Sequence, residues 1–322
     1  MPDDGGSRYP PQSGWIFILT MAKRALITGV QGFTGRHLAV ELADAGFEVF
    51  GLAHKPQAEP IPGVRAVHAC DLCDAAGLAR VVAEVQPDVV AHLAGIAFVA
   101  HGDAEAIYRT NLIGSQKLLE ALSHAEKPVQ AVLLASSANV YGNAVGGVLD
   151  ESTPPAPAND YAVSKLAMEF MAKLYQERLP IIIARPFNYT GVGQSEDFLL
   201  PKIISHVRRR APVIELGNLH VARDFSDVRM VVQYYRRLLE QPAAIGQTFN
   251  VCSGRGYTLD EVLAMARSLA DHDFEVRVNP AFVRANEVKT LIGSRAKLEA
   301  VVGVVPDIAL LDTLRWMLAG QA

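Results

Sequence analysis

The run Ala25-Leu26-Ile27-Thr28-Gly29-Val30-Gln31-Gly32-Phe33-Thr34-Gly35-Arg36 decides the fold. Its first four residues read as a buried strand, its three glycines follow at three-residue spacing, and an amphipathic helical stretch runs from Thr34 to Ala45. A strand that turns through glycine into a helix has a physical use. Glycine makes the tight turn, lets the backbone approach a pyrophosphate and packs helix on strand, while the helix N-terminus faces the phosphate charge. A glycine triplet alone is weak evidence. Its place after a strand and before a helix makes dinucleotide binding a better reading than an unliganded turn.

Outward from this turn, short aliphatic runs recur at Val49–Leu52, Val64–Ala69, Val89–Leu93, Val129–Ala135 and Ile181–Ala184. With Ala25–Thr28 they predict six strands, each too continuous to be half exposed. Helical stretches lie between them near Thr34–Ala45, Ala75–Val85, Ala104–Ala125 and Ala158–Arg178. This alternation predicts an α/β fold with a doubly wound parallel sheet of the Rossmann kind. After Pro186 the spacing turns irregular, with helices near Leu199–Arg210, Val228–Leu239, Leu259–Ala270 and Ile308–Leu318 and one more strand at Thr248–Cys252. The expected organisation is a dinucleotide-binding domain of residues 22–187 plus about 225–252. A second, smaller α/β substrate domain takes about 188–224 plus 253–322, and residues 1–21 are a disordered tail or an upstream start.

Composition narrows the class. Half of the 322 residues are apolar and a fifth are charged, which excludes disordered, collagen-like and disulfide-scaffold chains. Lys plus Arg is 30 against Asp plus Glu 34, with no long basic run, so nucleic acid is not an expected partner. The apolar piece Trp15–Leu19 is too short for a membrane span and follows an acidic leader. Three cysteines, an odd number, fit a reducing compartment, and a cytoplasmic protein is expected. Cys70 and Cys73 form a CxxC with no second pair, read as incidental, and no metal site is expected.

Two clusters carry chemistry. Tyr161-Ala162-Val163-Ser164-Lys165 opens a helical stretch, so tyrosine and lysine share one face a turn apart. An ammonium near a phenol favours the phenolate, making the tyrosine a workable acid or base near neutrality. The strand before it ends Ser136-Ser137-Ala138-Asn139-Val140-Tyr141-Gly142, presenting a hydroxyl where this fold presents ligands, and Asn111 can support the lysine through water. For the cofactor, an NAD site places an acid roughly twenty residues beyond the glycines. Here the second strand ends Leu52-Ala53-His54-Lys55. Lys55, His54 and Arg36 suit a 2′-phosphate, so NADP(H) is expected, with NAD(H) the alternative if these cations are merely solvated. Asp71, at a strand end, is placed to meet an adenine.

TGVQGFTG, His92-Leu93-Ala94-Gly95, Asn111, SSANVYG, YAVSK and Arg185-Pro186-Phe187-Asn188 together make the chain resemble the extended short-chain dehydrogenase/reductases that modify nucleotide sugars. The resemblance spans Lys23 to about Leu318 and implies a catalytic set of Ser137, Tyr161 and Lys165 with Asn111. The cofactor positions are Gly29, Gln31, Gly32, Phe33, Thr34, Gly35, Arg36, His54, Lys55, Asp71, Leu72, Leu93, Ala94 and Gly95, with Tyr161 and Lys165. The partner that the resemblance implies is a second copy of the chain, in a homodimer through the helices near Ala104–Ala125 and Ala158–Arg178.

The second half resembles the GDP-mannose 4,6-dehydratase and GDP-6-deoxy-4-keto-mannose reductase branch at NYTGVGQ (188–194), Leu216–Leu219, Arg223-Asp224-Phe225, Asp227, Arg284–Glu287 and Leu291–Ser294. The implied substrate is a GDP-sugar, met by Ser137, Asn188, Arg223, Arg284 and Glu287. Arg223 and Arg284 can bridge diphosphate oxygens and Glu287 can accept from ribose hydroxyls. The alternatives are a helical Arg223–Asp227 pair and a surface Arg284–Glu287 pair. Val192 and Asp160 stand where the branch usually has proline. Dehydratases of the branch carry a carboxylate just after the catalytic hydroxyl, where this chain has Ala138 and Asn139. Neither is a base, which leaves reduction of a 4-keto sugar. A 4-epimerase or 4,6-dehydratase of the same family, and a non-catalytic NADP-binding protein, are the rival readings.

Overall fold

A computed structural model of the chain describes residues 22–56, 59–97, 103–142, 147–219, 221–283 and 290–320. The expected tail 1–21, and Arg284 and Glu287, lie outside these described residues. The elements run β1 (Arg24–Thr28), α1 (Phe33–Asp44), β2 (Glu48–Ala53), β3 (Val64–Ala69), α2 (Ala75–Val85) and β4 (Val89–His92). Next come α3 (Ala104–Tyr108), a π-helical turn (Arg109–Gly114), α4 (Ser115–Ser123), β5 (Ala131–Ala135), α5 (Asp160–Lys173) and β6 (Ile181–Pro186). Then follow β7 (Asn188–Thr190), α6 (Leu199–Arg208), β8 (Val213–Leu216), β9 (Ala222–Asp227), α7 (Val228–Glu240) and β10 (Thr248–Val251). The last are β11 (Gly256–Thr258), α8 (Leu259–Leu269), β12 (Glu275–Val278), β13 (Thr290–Leu291), α9 (Ala296–Val302) and α10 (Leu310–Ala319).

Seven strands form one parallel sheet in the order β3-β2-β1-β4-β5-β6-β10. Both faces are covered because both residue parities are apolar. Ala25, Ile27, Val89, Ala91, Ala131, Leu133, Ile182 and Ala184 face one core with α1 and α7. Leu26, Val90, Val132, Leu134, Ile181 and Ile183 face the other with α2, α4 and α5. A strand with water on one side would alternate apolar with polar instead. The strand order reverses between β2 and β4, on either side of β1, so the carboxyl ends of these strands open a crevice where folds of this kind take ligands. The chain returns at β10 to pair with β6, as expected from Thr248–Cys252.

Three expectations are corrected. β3 is partly exposed along most of its length, because it is an edge strand with a neighbour on one side only, whereas β10 at the other edge packs in one core with Leu298 of α9. The stretch 104–125 is not one helix: a π-helical turn at Arg109–Gly114 separates α3 from α4. Arg223 and Asp227 do not form a helical pair, because both lie in strand β9, and Asp227 instead pairs with Arg229 at 2.7 Å. Beyond Pro186 the short strands β7, β11 and β13 gather around β9, and β8 pairs with β12. Leu200, Ile203 and Ile204 of α6, Val262 and Leu263 of α8 and Leu314 of α10 close a separate core over them.

Candidate active site

The glycine turn is built for a close neighbour. Gly29 takes φ +70°, and a Cβ there would lie 2.8 Å from the Ala94 Cα and 2.9 Å from its nitrogen. A Cβ on Gly35 would meet the Gly29 carbonyl oxygen at 2.4 Å, so helix and turn touch only through glycine. Gly32 is exposed and is the N-cap of α1, with no side-chain cap over the helix N-terminus. Uncapped N–H groups at a helix head suit an anion, and the pyrophosphate of a dinucleotide fits this cradle. Gln31 accepts from Arg36 Nε through its carbonyl at 3.0 Å and donates to the Lys55 carbonyl at 3.2 Å, which ties α1 to the end of β2. Arg36, His54 and Lys55 are exposed there, with His54 Nδ1 at 3.9 Å from Asp71 Oδ2. Asp71 also accepts from Cys73 N at 2.8 Å, and Leu72 is buried beneath. Cys70 and Cys73 are free thiols.

Tyr161 and Lys165 share the buried face of α5, where Asn159 caps the helix by accepting from Ala162 N at 2.9 Å. Tyr161 is 8% exposed, and burial pushes its phenol up to about 12, only partly offset by a hydrogen bond with the Ser137 side chain. Burial brings Lys165 down to about 8. The phenol therefore holds its proton at neutral pH. This differs from the expectation of a phenol lowered by the ammonium: burial is the largest cause and raises it, the Ser137 hydrogen bond offsets only part, and Tyr161 stands as an acid. Ser137 accepts from Asn139 N at 3.1 Å, and Lys165 Nζ donates to the Ala135 carbonyl at 2.8 Å.

Asn111 sits in the π-helical turn, a feature that often marks functional sites. Its Oδ1 accepts from Ile96 N at 2.8 Å, and its Nδ2 donates to the Ile96 carbonyl and to Ser164 Oγ, each at 3.1 Å. A Cβ on Gly95 would lie 2.9 Å from Asn111 Oδ1 and 3.3 Å from Lys165 Nζ, so glycine there leaves these two groups facing one small space. Behind them His92, which sequence reading quoted only within a motif, joins two elements. Ser115 Oγ donates to the Asn111 carbonyl at 2.6 Å, so His92 Nε2–H donates to Ser115 at 2.8 Å and Nδ1 accepts from Thr28 Oγ1 at 2.7 Å. Burial, reinforced by the Lys165 charge, brings His92 down to about 3, and it stays neutral.

At the start of β7, Asn188 carries a buried Nδ2 with no hydrogen-bond partner among the described residues. Arg223 Nη1 donates to the Ala222 carbonyl at 3.0 Å from β9. Its neighbour Asp224 is fully buried and gathers Ser253 N at 2.8 Å, Ser253 Oγ at 2.6 Å, Gly254 N at 2.9 Å and Gly293 N at 3.4 Å. Both positions expected to have proline have their own supports: Asp160 accepts from Tyr108 OH at 2.9 Å, and the Val192 carbonyl accepts from His37 Nε2 at 3.0 Å.

A dinucleotide cradle at the head of α1 and a phenol–ammonium pair at the head of α5, opening on one edge of a parallel sheet, define an extended short-chain dehydrogenase/reductase. Within that class the chain belongs to the GDP-mannose 4,6 dehydratase family, whose profile matches residues 26–317. It is 32% identical over 281 residues to the GDP-6-deoxy-D-talose 4-dehydrogenase of Aggregatibacter actinomycetemcomitans, covering 87% of this chain and 91% of that one. It is 35% identical over 311 residues to the GDP-6-deoxy-D-mannose reductase of Pseudomonas aeruginosa, covering 93% and 97%. Among solved structures, RMD from Pseudomonas aeruginosa complexed with NADPH superposes with a TM-score of 0.80 at 32% identity, over 93% of this chain and 97% of that one. A Burkholderia cenocepacia J2315 protein described as an epimerase candidate superposes with a TM-score of 0.86 at 52% identity, over 92% and 97%.

Proposed function

We propose that this protein reduces the C4 ketone of a GDP-4-keto-6-deoxy-hexose with NADPH, forming GDP-D-rhamnose or GDP-6-deoxy-talose. One observation carries the choice of reduction: Tyr161 is a protonated acid beside Ser137, and the two positions after Ser137 are Ala138 and Asn139, which hold no base for a dehydration. Ser137 hydrogen-bonds the ketone oxygen, Tyr161 gives it a proton as the alkoxide forms, and Lys165 stabilises the phenolate left behind. NADPH, when bound at the α1 cradle, supplies the hydride. Arg36, His54 and Lys55 would hold its 2′-phosphate, and Asp71 and Leu72 would hold its adenine.

In this reading residues 188–224 and 253–322 bind the nucleotide sugar, with Asn188 and Arg223 on the diphosphate side and Arg284 and Glu287 on the nucleoside. The buried, unpartnered Asn188 Nδ2 supports this, since a ligand oxygen would satisfy it. The protein works as a homodimer through α5 and the α3–α4 stretch: Ile113, Val163, Phe170 and Leu174 are exposed apolar side chains there, Leu174 at 77%. No described helix is long and apolar enough to cross a membrane, and the free thiols Cys70, Cys73 and Cys252 support a cytoplasmic site.

A second reading, 4-epimerisation, is favoured by the Burkholderia match and uses the same three side chains. The two separate on cofactor use, because an epimerase retains its NAD whereas a reductase consumes NADPH in proportion to product. The test is incubation with GDP-mannose, a 4,6-dehydratase and NADPH, with the product identified by NMR. A GDP-6-deoxy-hexose formed with matching NADPH loss is expected; a C4-inverted sugar without NADPH loss overturns the reductase reading.

A further inference from the structure

Tyr161, Lys165 and Glu169 follow at four-residue spacing and form one buried stripe along α5. The reduction uses the first two and leaves the third, a carboxylate in a residue only 3% exposed. Glu169 is fully engaged. Its Oε1 accepts from Ser136 Oγ at 2.5 Å and Arg185 Nε at 2.9 Å, and its Oε2 accepts from Arg185 Nη2 at 2.6 Å. Arg185 Nη1 donates onward to Tyr141 OH at 2.9 Å, and Tyr141 donates to Asn250 Oδ1 at 2.7 Å.

Burying a carboxylate and a guanidinium together costs several kcal/mol of lost hydration, and an apolar pair of similar volume often serves a fold as well or better. Packing therefore does not explain the charge, but its position does. Ser136, which it holds, precedes Ser137 in the chain, and Lys165 lies one helical turn before it. Around Lys165 stand Tyr161 and Glu169 on its own helix, His92 from β4, the Ala135 carbonyl from β5 and Asn111 from the π-helical turn, with Arg185 of β6 committed to Glu169. Tyr161 is neutral below about 12 and His92 above about 3, so Glu169 is the anion whose field favours a charged Lys165.

We propose that Glu169 is a positioning residue of this site: its carboxylate, clamped between Arg185 and Ser136, is the counter-charge that holds Lys165 as an ammonium and fixes the strand end that presents Ser137. The inference rests on the reading of Lys165 as a cofactor-side cation, and not on which sugar is reduced.

The test is NADPH affinity against pH, read by cofactor fluorescence on the full chain. Wild type is expected to bind more weakly as pH rises through about 8, where Lys165 loses its proton. Lys165→Met should lack this break, which assigns it and separates it from His54. Glu169→Gln should move the break lower by roughly one pH unit or more, and Glu169→Asp should return it. An orphaned Arg185 can unfold the Gln variant, so Glu169→Leu/Arg185→Met, which leaves no unpaired charge, is measured beside it and should move the break in the same direction by a smaller amount, because the Arg185 cation is gone as well. A folded Gln or Leu/Met variant whose break coincides with that of wild type overturns the proposal, as does a wild type with no break. Lack of turnover on every GDP-4-keto sugar, with these displacements intact, would instead overturn the reductase reading and leave the role of Glu169 standing.

Discussion

Tyr161 holds its proton because its surroundings penalise a charge, and that property decides which half-reaction it suits: giving a proton to a ketone oxygen needs an acid that is still loaded at neutral pH. Tyr161→Phe keeps the ring and removes the transferable proton. It is expected to lower kcat by roughly two decades or more while leaving the NADPH Kd within about twofold, checked by steady-state rates and cofactor titration. Lys165 makes the opposite compromise, since its ammonium is useful and costly. The unfolded chain keeps that proton up to about 10.5 and the native chain only to about 8. Below pH 8 both states carry the charge and the native state bears its burial; from pH 8 to 10.5 the unfolded state binds the extra proton, so this group's contribution to stability rises with pH. Lys165→Met is therefore expected to raise the unfolding free energy at pH 7 by on the order of 1–3 kcal/mol, read as a higher Tm, with the gain shrinking towards pH 10.5. A Tm difference that grows with pH would show that desolvation of Lys165 is not the controlling effect.

At the scale of elements, α1 and the end of β2 form one device, because Gln31 is bonded to both Arg36 and Lys55. A 2′-phosphate bound there would be met by exposed cations, so Arg36→Glu or Lys55→Glu should weaken NADPH by roughly tenfold or more and NADH far less. Equal losses for both cofactors would place these cations outside the site. The glycine turn, the β-strands of the large sheet and the head of α5 were legible in the sequence because each follows from a local rule: glycine spacing, unbroken aliphatic runs and a four-residue Tyr–Lys step. The small strands β7, β11 and β13 were not, since each is too short for a period and is defined by its partner, and β9 was not because its run ARDFSD carries charges and no aliphatic stretch. The π-helical turn around Asn111 was hidden for the same reason. The stretch 104–125 reads as one amphipathic helix, and the turn is visible only in the structure, where Ser115 Oγ donates to the Asn111 carbonyl and His92 in turn bonds Ser115. Glu169 did leave a trace, the continued four-residue step beyond Lys165, but its meaning depends on Arg185, which arrives from β6 sixteen residues later.

On the scale of the whole molecule, the glycine turn and α1 are joined by packing to the elements beyond Pro186. Phe33 stacks on Tyr189 with ring centroids 5.9 Å apart, Thr34 Oγ1 bonds Tyr189 OH at 2.7 Å, and Asp227 links Arg229 to Thr313 of α10. A substrate whose ketone meets Tyr161 while its diphosphate meets Arg223 must lie across this junction. Contacts far from the reacting carbon then hold the ketone in register for hydride transfer, so losing one should lower turnover as well as affinity. If Arg223 grips the diphosphate as proposed, Arg223→Ala should lower kcat/KM by on the order of a hundredfold. Its NADPH Kd should stay that of wild type, since Arg223 lies on β9, outside the large sheet. The same contact predicts a ligand signature that needs no turnover: GDP should raise the Tm of the wild type, and much less that of the variant, because only a nucleotide gripped by the native state stabilises it. Protection by dTDP or UDP but not GDP would remove the guanine assignment while sparing the nucleotide-sugar reductase. Equal protection of wild type and variant by GDP would move the diphosphate away from Arg223.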